Sequence, residues 1–360
     1  MAMTAEPIEQ GGTLCLPGPT GTHPVGTMSV QLTDVSRSDP WVPEAGAREL
    51  MVTLWYPTTS SNGRPARYMT PIESELLLRG GRITGVPFDV LSTTRTNAVY
   101  GAEPVGSGLP LVALSPGFGK PRATLTSLAE DLASNGYVVA GIDHTYESVA
   151  TMFPDGRTTT CVAAEIPHDE AFWVRLGAGR AADVSFVLDQ LIETHRGLID
   201  RARIGMAGHS AGGAAAIATM LADRRVRAGV DIDGSTSSPM PDGGLARPFL
   251  FLGRQDQYQP GSGGAAATWE GDWDHLIGWR RWLTVTGALH ASFTDVGLLA
   301  EASRLGTGAG LPATRVSEIT RRYTRAFFDL HLRGEPQDVL MAPSARYPEV
   351  RFERPVTLPA

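Results

Sequence analysis

Cysteine is scarce in this sequence: Cys15 and Cys161 are the only two among 360 residues. Two cysteines so far apart provide neither the clustered spacing of a zinc site nor the framework of a disulfide-rich domain. We expect two reduced thiols, and the sequence leaves open a single bridge between them. The scarcity of cysteine excludes a small fold that is held together by metals or disulfides.

Long apolar runs and clusters of basic residues are also missing. No segment approaches the roughly 18 consecutive apolar residues of a membrane-spanning helix. The net charge is −7 and there is no basic stripe, so nucleic acid is not an expected partner. The composition, with 42% hydrophobic and 19% charged residues, is typical of a globular protein with a sizeable core.

The first residues of the sequence lack the features of a signal peptide. Residues 1–12 contain neither the basic segment nor the apolar segment that such a peptide requires. We therefore expect a cytoplasmic protein, or a secreted one whose leader has been removed.

From residue 109 onward, the sequence alternates apolar strand-like segments with helical ones. This alternation predicts an α/β fold, in which a mostly parallel central sheet is covered by helices on both faces. In such sheets, ligands bind at the carboxyl ends of the strands. The predicted strands are 109–114, 137–142, 203–207, 226–232, 248–252 and 282–286, and the predicted helices are 124–134, 179–194, 214–223 and 315–332.

The remaining segments predict how the chain is organised around this sheet. Residues 1–26, rich in Gly, Pro and Thr, are expected to form an extended arm, and residues 341–360 a C-terminal tail. Between them, residues 27–340 are expected to form a single domain that opens with antiparallel strands. Insertions at about 58–95 and 155–178 interrupt the pattern and predict a small cap.

The most informative segment is the pentapeptide 208–212, which reads Gly-His-Ser-Ala-Gly. A short apolar strand precedes it and a run of helix formers follows it. A serine on such a tight strand-to-helix turn has a strained backbone, and its close neighbours must be small, as Gly208 and Gly212 are. The pattern therefore predicts Ser210 as a nucleophile at the end of a strand.

A serine hydroxyl needs a base, and the base needs a carboxylate to orient it. In this type of fold the chain order is serine, acid, histidine. His290 follows a predicted strand and is the expected base, whereas His275 lies in an aromatic segment typical of packing. Asp233 and Asp256 each follow a strand, and either could serve as the acid. Such a mechanism requires no metal and no organic cofactor.

Two backbone N–H groups are expected to stabilise the oxyanion of the tetrahedral intermediate. One is that of Ala211, directly after the nucleophile and at the start of a helix. The other is that of Phe118, in the glycine-flanked turn after the strand at 109–114. Candidate pocket residues, for which packing is the alternative interpretation, are His144, Tyr146 and Trp273.

Taken together, these segments resemble the bacterial branch of the platelet-activating factor acetylhydrolase family of α/β-hydrolases. The similarity extends from Leu16 to about Gly334. Within that family, the acid occupies the position of Asp233, which implies Ser210, Asp233 and His290 as the triad and Phe118 and Ala211 as oxyanion donors. The segments that carry the resemblance are 16–21, 24–26, 54–57, 142–148, 208–212, 231–234 and 290–295.

The segment Pro116-Gly117 departs from the vertebrate members, which have His-Gly there, and is similar to bacterial cutinases and polyester hydrolases. Those enzymes have their acid at the position of Asp256, so the two resemblances disagree about the acid. The wider match favours Asp233. It implies a serine hydrolase of small-molecule or lipid esters with a short acyl group. The alternatives are a polyester or cutin hydrolase, and an acyltransferase or amidase with the same triad.

Overall fold

A computed structural model describes residues 12–305 and 310–354. The predicted N-terminal arm is therefore described only from residue 12. The described part of the arm is tied to the domain, because Leu14 and Leu16 are buried and the N–H of Thr20 donates to the Asp131 carboxylate over 2.8 Å. None of the helices in the described ranges is long and apolar enough to cross a membrane.

Most strands belong to one mixed sheet of 11 strands, in the order β13-β12-β11-β10-β9-β5-β6-β2-β1-β4-β3. The six strands from β12 to β6 are parallel to one another, and antiparallel strands flank them at both ends. A separate hairpin pairs β7 with β8. The strands are β1 (Val25–Ser38), β2 (Ala47–Pro57), β3 (Pro65–Arg67), β4 (Arg95–Tyr100), β5 (Leu109–Ser115), β6 (Val138–Asp143), β7 (Thr151–Met152), β8 (Thr158–Thr159), β9 (Ile199–His209), β10 (Val226–Ile232), β11 (Phe249–Arg254), β12 (Arg280–Val285) and β13 (Val350–Phe352).

The helices cover both faces of this sheet, as the alternating pattern predicts. One apolar cluster joins the sheet to α2 and α8, and a second joins the opposite face to α3, α4 and α6. Each parallel strand is buried on both sides, which explains its continuous apolar sequence. The helices are α1 (Pro71–Gly80), α2 (Thr126–Ser134), α3 (Glu170–Thr194), α4 (Ala211–Ala222), α5 (Gln255–Tyr258), α6 (Ala265–Trp273), α7 (Asp295–Ala302) and α8 (Ala313–Arg333).

The strand order reverses between β5 and β9, and this reversal positions the candidate site. The chain runs from β5 to β6 on one side of β5, and later returns to place β9 on the other side. The connections after β5 and β9 therefore diverge and leave a crevice at the carboxyl ends of these strands. The loop containing Phe118 follows β5, and Ser210 follows β9.

Several elements differ from the sequence prediction. Helix α3 begins at Glu170 rather than at residue 179, because Gly177 and Gly179 interrupt the helical pattern without interrupting the helix. Helix α6 spans Ala265–Trp273, so the aromatic segment up to residue 279 is only partly helical. The C-terminal tail contributes β13, whose three residues are too few to show an alternating pattern.

Cys15 and Cys161 are both free thiols, as the sequence predicts.

Candidate active site

Ser210 lies on the turn between β9 and α4, as its sequence motif predicts. Its φ is 56°, a left-handed conformation that is strained for a residue with a side chain. The turn is possible because the residues two positions before and two positions after Ser210 are glycines. A Cβ atom on Gly212 would collide with the backbone of Ser115, and one on Gly208 with the backbone of Gly212. The sheet holds the strained residue in place, since the Ser210 N–H donates to the Ile232 carbonyl over 2.8 Å.

His290 follows β12 and begins a short 3-10 helix, His290–Phe293. Its Nδ1 makes a short hydrogen bond to the carboxylate of Asp233, which lies directly after β10. Asp233 is 1% exposed, and both the N–H and the Nε of Arg254 donate to it, over 2.7 and 2.8 Å. Burial alone would raise the pKa of Asp233, but His290 and Arg254 outweigh this effect and hold the pKa below its ordinary value.

The alternative acid, Asp256, occupies a different environment. It is an exposed residue of α5, the single-turn helix that follows β11. The carboxylate that makes the hydrogen bond to His290 is that of Asp233. Asp231, two residues earlier in the chain, is also buried, and its carboxylate accepts a hydrogen bond from the Gly234 N–H over 2.9 Å. The structure therefore brings together His290 and Asp233.

His209, the last residue of β9 and the neighbour of Ser210, supports the imidazole of His290. The two rings lie 4.4 Å apart, and His209 Nε2 donates to the backbone carbonyl of His290 over 2.9 Å. Burial lowers the pKa of His209 to about 3, and the proximity of His290 contributes to this shift. His209 is therefore neutral at physiological pH. Its hydrogen bond fixes the backbone of the residue that carries the candidate base.

Ser210, His290 and Asp233 line one cavity of about 310 Å³. Apolar and aromatic groups from α3 and α5 form part of its wall, notably Trp173, Leu176 and Tyr258. Trp173 and Leu176 belong to the segment 155–178 that the sequence analysis predicts as a cap. The other lining residues are Gly177, Ala211, Ala214, Ala215, Ser235, Ser237, Ser238, Arg254, Gln257 and Ala265.

The two predicted oxyanion donors lie on the two turns that the sheet brings together: Ala211 directly follows Ser210, and Phe118 follows Gly117, on which a Cβ atom would lie 3.4 Å from Ser210 Cβ. The N–H groups of Phe118 and Ala211 have no acceptor among the described residues. Ala211 is the first residue of α4, so its N–H group and the helix dipole favour negative charge at this point. The Phe118 ring packs edge-on against Phe172 and Trp173 of α3, with centroids 5.5 and 5.7 Å away.

A network of buried polar side chains holds the loop that carries Phe118 in place. Arg180 of α3 donates from Nη1 to the Pro116 carbonyl over 2.5 Å and to the Ser115 hydroxyl over 3.1 Å. Its Nε donates to the Glu147 carboxylate over 2.7 Å. All three side chains are at most 1% exposed. Charged groups so deeply buried are stable only when they are fully partnered, so this network fixes the loop tightly.

His144, a predicted pocket residue, belongs to this network and not to the cavity. The residue is 1% exposed. Its Nε2 lies 2.9 Å from the Ser115 hydroxyl, and its Nδ1 lies 2.9 Å from the Asp183 carboxylate. Burial and the Arg180 charge lower the pKa of His144, so the ring is neutral. The sequence correctly places His144 after a strand, at the edge of the sheet. It does not show how deeply the side chain is buried.

Trp273 and Tyr146 also lie outside the cavity wall. Trp273 is 6% exposed, and its ring packs in the core with its centroid 5.8 Å from that of Trp282. Helix α6 turns this side chain toward the sheet. Tyr146, with a φ of 67°, joins a satellite apolar cluster with Trp41 and Phe172. Both side chains thus have packing contacts, the alternative that the sequence left open for them.

Sequence reasoning missed Arg254, His209 and Trp173 as parts of the site. Arg254 ends β11 and Trp173 lies in an unrecognised first turn of α3. The position of Arg254 at the carboxyl end of a strand is a signal that could have identified it. Ligand-type atoms of His209, Asp233 and His290 lie within 4.8 Å of one another, which is the one metal-like grouping among the described residues. Hydrogen bonds already join these three residues.

The sheet topology and the arrangement around Ser210 define an α/β-hydrolase. Comparison with known families agrees, because the model of "platelet-activating factor acetylhydrolase, isoform II" matches residues 12–187 and 174–307. The chain belongs to this family, and it is a carboxylic-ester hydrolase.

Individual relatives lead to the same class of enzyme. A ferulic acid esterase from Streptomyces cinnamoneus has a similar structure, with a TM-score of 0.84 and 42% identity over 95% of this chain and all of that chain. A probable 1-alkyl-2-acetylglycerophosphocholine esterase from Arthroderma benhamiae is 28% identical, over 94% of this chain and 93% of that protein. The platelet-activating factor acetylhydrolase of Canis lupus familiaris is 26% identical over 53% of this chain and 49% of that protein.

Proposed function

We propose that this enzyme hydrolyses small carboxylic esters through a covalent acyl-enzyme, with Ser210 as the nucleophile, His290 as the general base and Asp233 as the orienting acid. The observation that carries this proposal is the short hydrogen bond from His290 to a buried Asp233, in the cavity that Ser210 also lines. A buried, ionised carboxylate beside Nδ1 selects the tautomer that leaves Nε2 free to accept a proton.

The proposed reaction has two symmetrical halves. The Ser210 hydroxyl attacks the ester carbonyl while His290 accepts its proton, and the Phe118 and Ala211 N–H groups stabilise the oxyanion. His290 then donates this proton to the departing alcohol. In the second half, His290 activates a water molecule that attacks the acyl-enzyme and releases the acid. Asp233 stabilises the imidazolium that forms in each half.

Two kinds of acyl group are candidates for the cavity beside Ser210. A short acyl group such as acetyl is proposed first, since the family and the Arthroderma relative are named for acetyl esters. A hydroxycinnamoyl group is the second candidate, favoured by the Streptomyces relative and by Trp173 and Tyr258, whose rings line the cavity. Rates for 4-nitrophenyl esters from acetate to dodecanoate and for methyl ferulate distinguish the two.

Ser210→Ala tests the mechanism directly. The variant is expected to lose 4-nitrophenyl acetate hydrolysis by a factor on the order of 10⁴ or more, because only the oxyanion donors and substrate binding would remain. Burst kinetics of the wild-type protein should also show one equivalent of acyl-enzyme. Ser61→Ala, in an exposed loop, is the matched control and should retain wild-type kinetics. Unchanged hydrolysis by Ser210→Ala would remove the proposed mechanism.

A further inference from the structure

Lys120 is the only lysine in the sequence; the other 30 of its 31 basic residues are arginines. It ends the loop that follows β5 and carries Phe118, and it is half-buried. Its N–H donates to the Gly117 carbonyl over 3.1 Å, which places the residue in a tight turn beside the nucleophile. The only lysine side chain of the sequence therefore starts at the edge of the candidate active site.

The side chain of Lys120 begins within a short distance of Ser210. The position that a Cβ atom on Gly117 would occupy lies 3.4 Å from Ser210 Cβ and 3.6 Å from Lys120 Cγ. Because both distances are measured from one point, Ser210 Cβ and Lys120 Cγ lie no more than about 7 Å apart. Lys120 then lines a narrow apolar slot of about 50 Å³, separate from the cavity of Ser210 and His290. The walls of this slot include Tyr68, Leu77, Leu91, Val296 and Leu299.

The charge of Lys120 has no counter-charge in the part of the chain that the structure describes. No carboxylate there lies within 4 Å of its Nζ, and no hydrogen bond from Nζ is formed. Arginines around the site differ in this respect, since Arg122, Arg180 and Arg254 all have carboxylate partners. Burial lowers the pKa of the Lys120 ammonium, which shows that the surrounding groups do not compensate its charge.

We propose that Lys120 binds an anionic group, a carboxylate or a phosphate, carried by the ester substrate. An ammonium group that is partly shielded from water and lacks a protein partner gains most from an anion on a ligand. The proposal rests on Ser210 as the proposed nucleophile, because the ester bond would lie there while the anionic group of the same substrate extends to the separate slot that Lys120 lines. It makes Lys120 a determinant of specificity between charged and neutral esters.

Matched pairs of esters test this proposal through the ratio of their kcat/KM values. The pairs are 4-acetoxybenzoate with its methyl ester, 4-acetoxyphenyl phosphate with phenyl acetate, and mono-4-nitrophenyl glutarate with 4-nitrophenyl valerate. The wild-type protein should favour the anionic member of at least one pair, and Lys120→Met should reduce that preference by about tenfold. Lys120→Arg should restore part of it. Arg201→Met, which removes an exposed charge, is the control and should preserve it.

A binding experiment checks the same site without turnover. Because Lys120 is the only lysine, its modification by trinitrobenzenesulfonate can be followed on a single peptide by mass spectrometry. Benzoate or inorganic phosphate should slow this modification, whereas neutral benzamide should not. Equal ester ratios in the wild-type and Lys120→Met proteins, or no protection by either anion, would overturn the proposal. Loss of all esterase activity in Ser210→Ala tests the proposed mechanism separately.

Discussion

At the residue scale, two neighbouring strand ends carry polar residues in the left-handed conformation. Ser210 and Asp233 have φ values of 56° and 57°, and each is held by a hydrogen bond to the adjacent strand. Such residues cost about 1–3 kcal/mol each and persist only where the surroundings over-determine them. The hydrogen bonds of the sheet thus offset the backbone strain at both residues, and they hold the hydroxyl and the carboxylate at one edge of the sheet.

The pairing of His290 with Asp233 makes a prediction about the two candidate acids. Asp233→Asn should reduce kcat by on the order of 10⁴, because the imidazole loses the carboxylate that selects its tautomer. Asp256→Asn, at an exposed position of α5, should alter kcat by less than about twofold, since surface substitutions have small effects. Both values come from 4-nitrophenyl acetate kinetics. Inactivity of the Asp256 variant alone would reverse the assignment.

Residues of the site differ in how well the sequence predicts them. Ser210 and His290 are predictable because a motif and the chain order each limit the choice strongly. The acid is not, since two aspartates follow adjacent strands and only the fold shows which one reaches His290. The sequence places His144 at the end of a strand and Trp273 near a helix, but it does not show how deeply either side chain is buried. Both are buried in packing or polar networks.

At the scale of elements, helix α3 is connected to the loop that carries Phe118 in two ways. Phe172 and Trp173 pack against the Phe118 ring, and Arg180 holds the backbone of Pro116. The segment 142–148 was recognised in the sequence as a family feature, and the structure shows its physical use. Glu147 and His144 complete the hydrogen bonds of Arg180 and Ser115. This connection could not be predicted, because the start of α3 was not recognised.

Removing the Arg180 side chain should separate the effects on stability and on rate. Arg180→Met leaves Glu147 buried without its main cationic partner and should cost about 3–5 kcal/mol of unfolding free energy. It should also lower kcat for 4-nitrophenyl acetate by about tenfold with little change in KM, because the Phe118 N–H is no longer held in place. Urea unfolding and steady-state kinetics measure the two effects.

A double variant distinguishes a positioning role from a merely structural one. Arg180→Met/Glu147→Gln removes the unpaired charge and should recover part of the stability while kcat stays low. Arg175→Met, on an exposed part of the same helix, is the control and should affect kcat much less. Full recovery of kcat together with stability would show that Arg180 contributes to stability alone.

At the scale of the whole molecule, two neutral histidines, the buried His209 and the half-buried His331, make the fold sensitive to acid. Burial lowers the pKa of His209 to about 3 and of His331 to about 4. In the unfolded chain the pKa of each histidine is about 6.5. Between this value and the lower pKa in the folded protein, the unfolded state therefore binds more protons than the folded state. Their contribution to stability is therefore complete above about pH 6.5 and is lost progressively as the pH falls.

His331 allows this effect to be measured away from the candidate active site. Its ring packs between Trp279 and Phe327, with centroids 4.4 and 4.8 Å away, and its Nε2 is buried without a partner among the described residues. His331→Phe should remove up to about 1.4 kcal/mol per pH unit from the loss of stability between pH 6.5 and 4. Urea unfolding over this range should show the shallower slope, whereas His23→Phe, at an exposed site, should not. An unchanged slope in His331→Phe would contradict the prediction.

The overall architecture was predictable from the sequence, in contrast to these details. Alternating strands and helices indicate a parallel sheet, and the structure confirms that sheet with helices on both faces. The antiparallel edge strand β13 was not predicted, because three residues contain too little pattern. Long-range hydrogen bonds of single residues, such as that of Thr20 to Asp131, leave no periodic signal in the sequence.

Helix α3 has a practical consequence for altering this enzyme. Trp173 and Arg180 are seven residues apart, so about 10 Å of helix separates the wall of the cavity from the support of the loop. Libraries restricted to position 176 would change the shape presented to incoming esters while the Trp173 ring and the Arg180 guanidinium keep their contacts with the loop. The selectivity and the reactivity of the enzyme thus depend on one helix, and Leu176 is the wall position that can be altered while both of these contacts with the loop are kept.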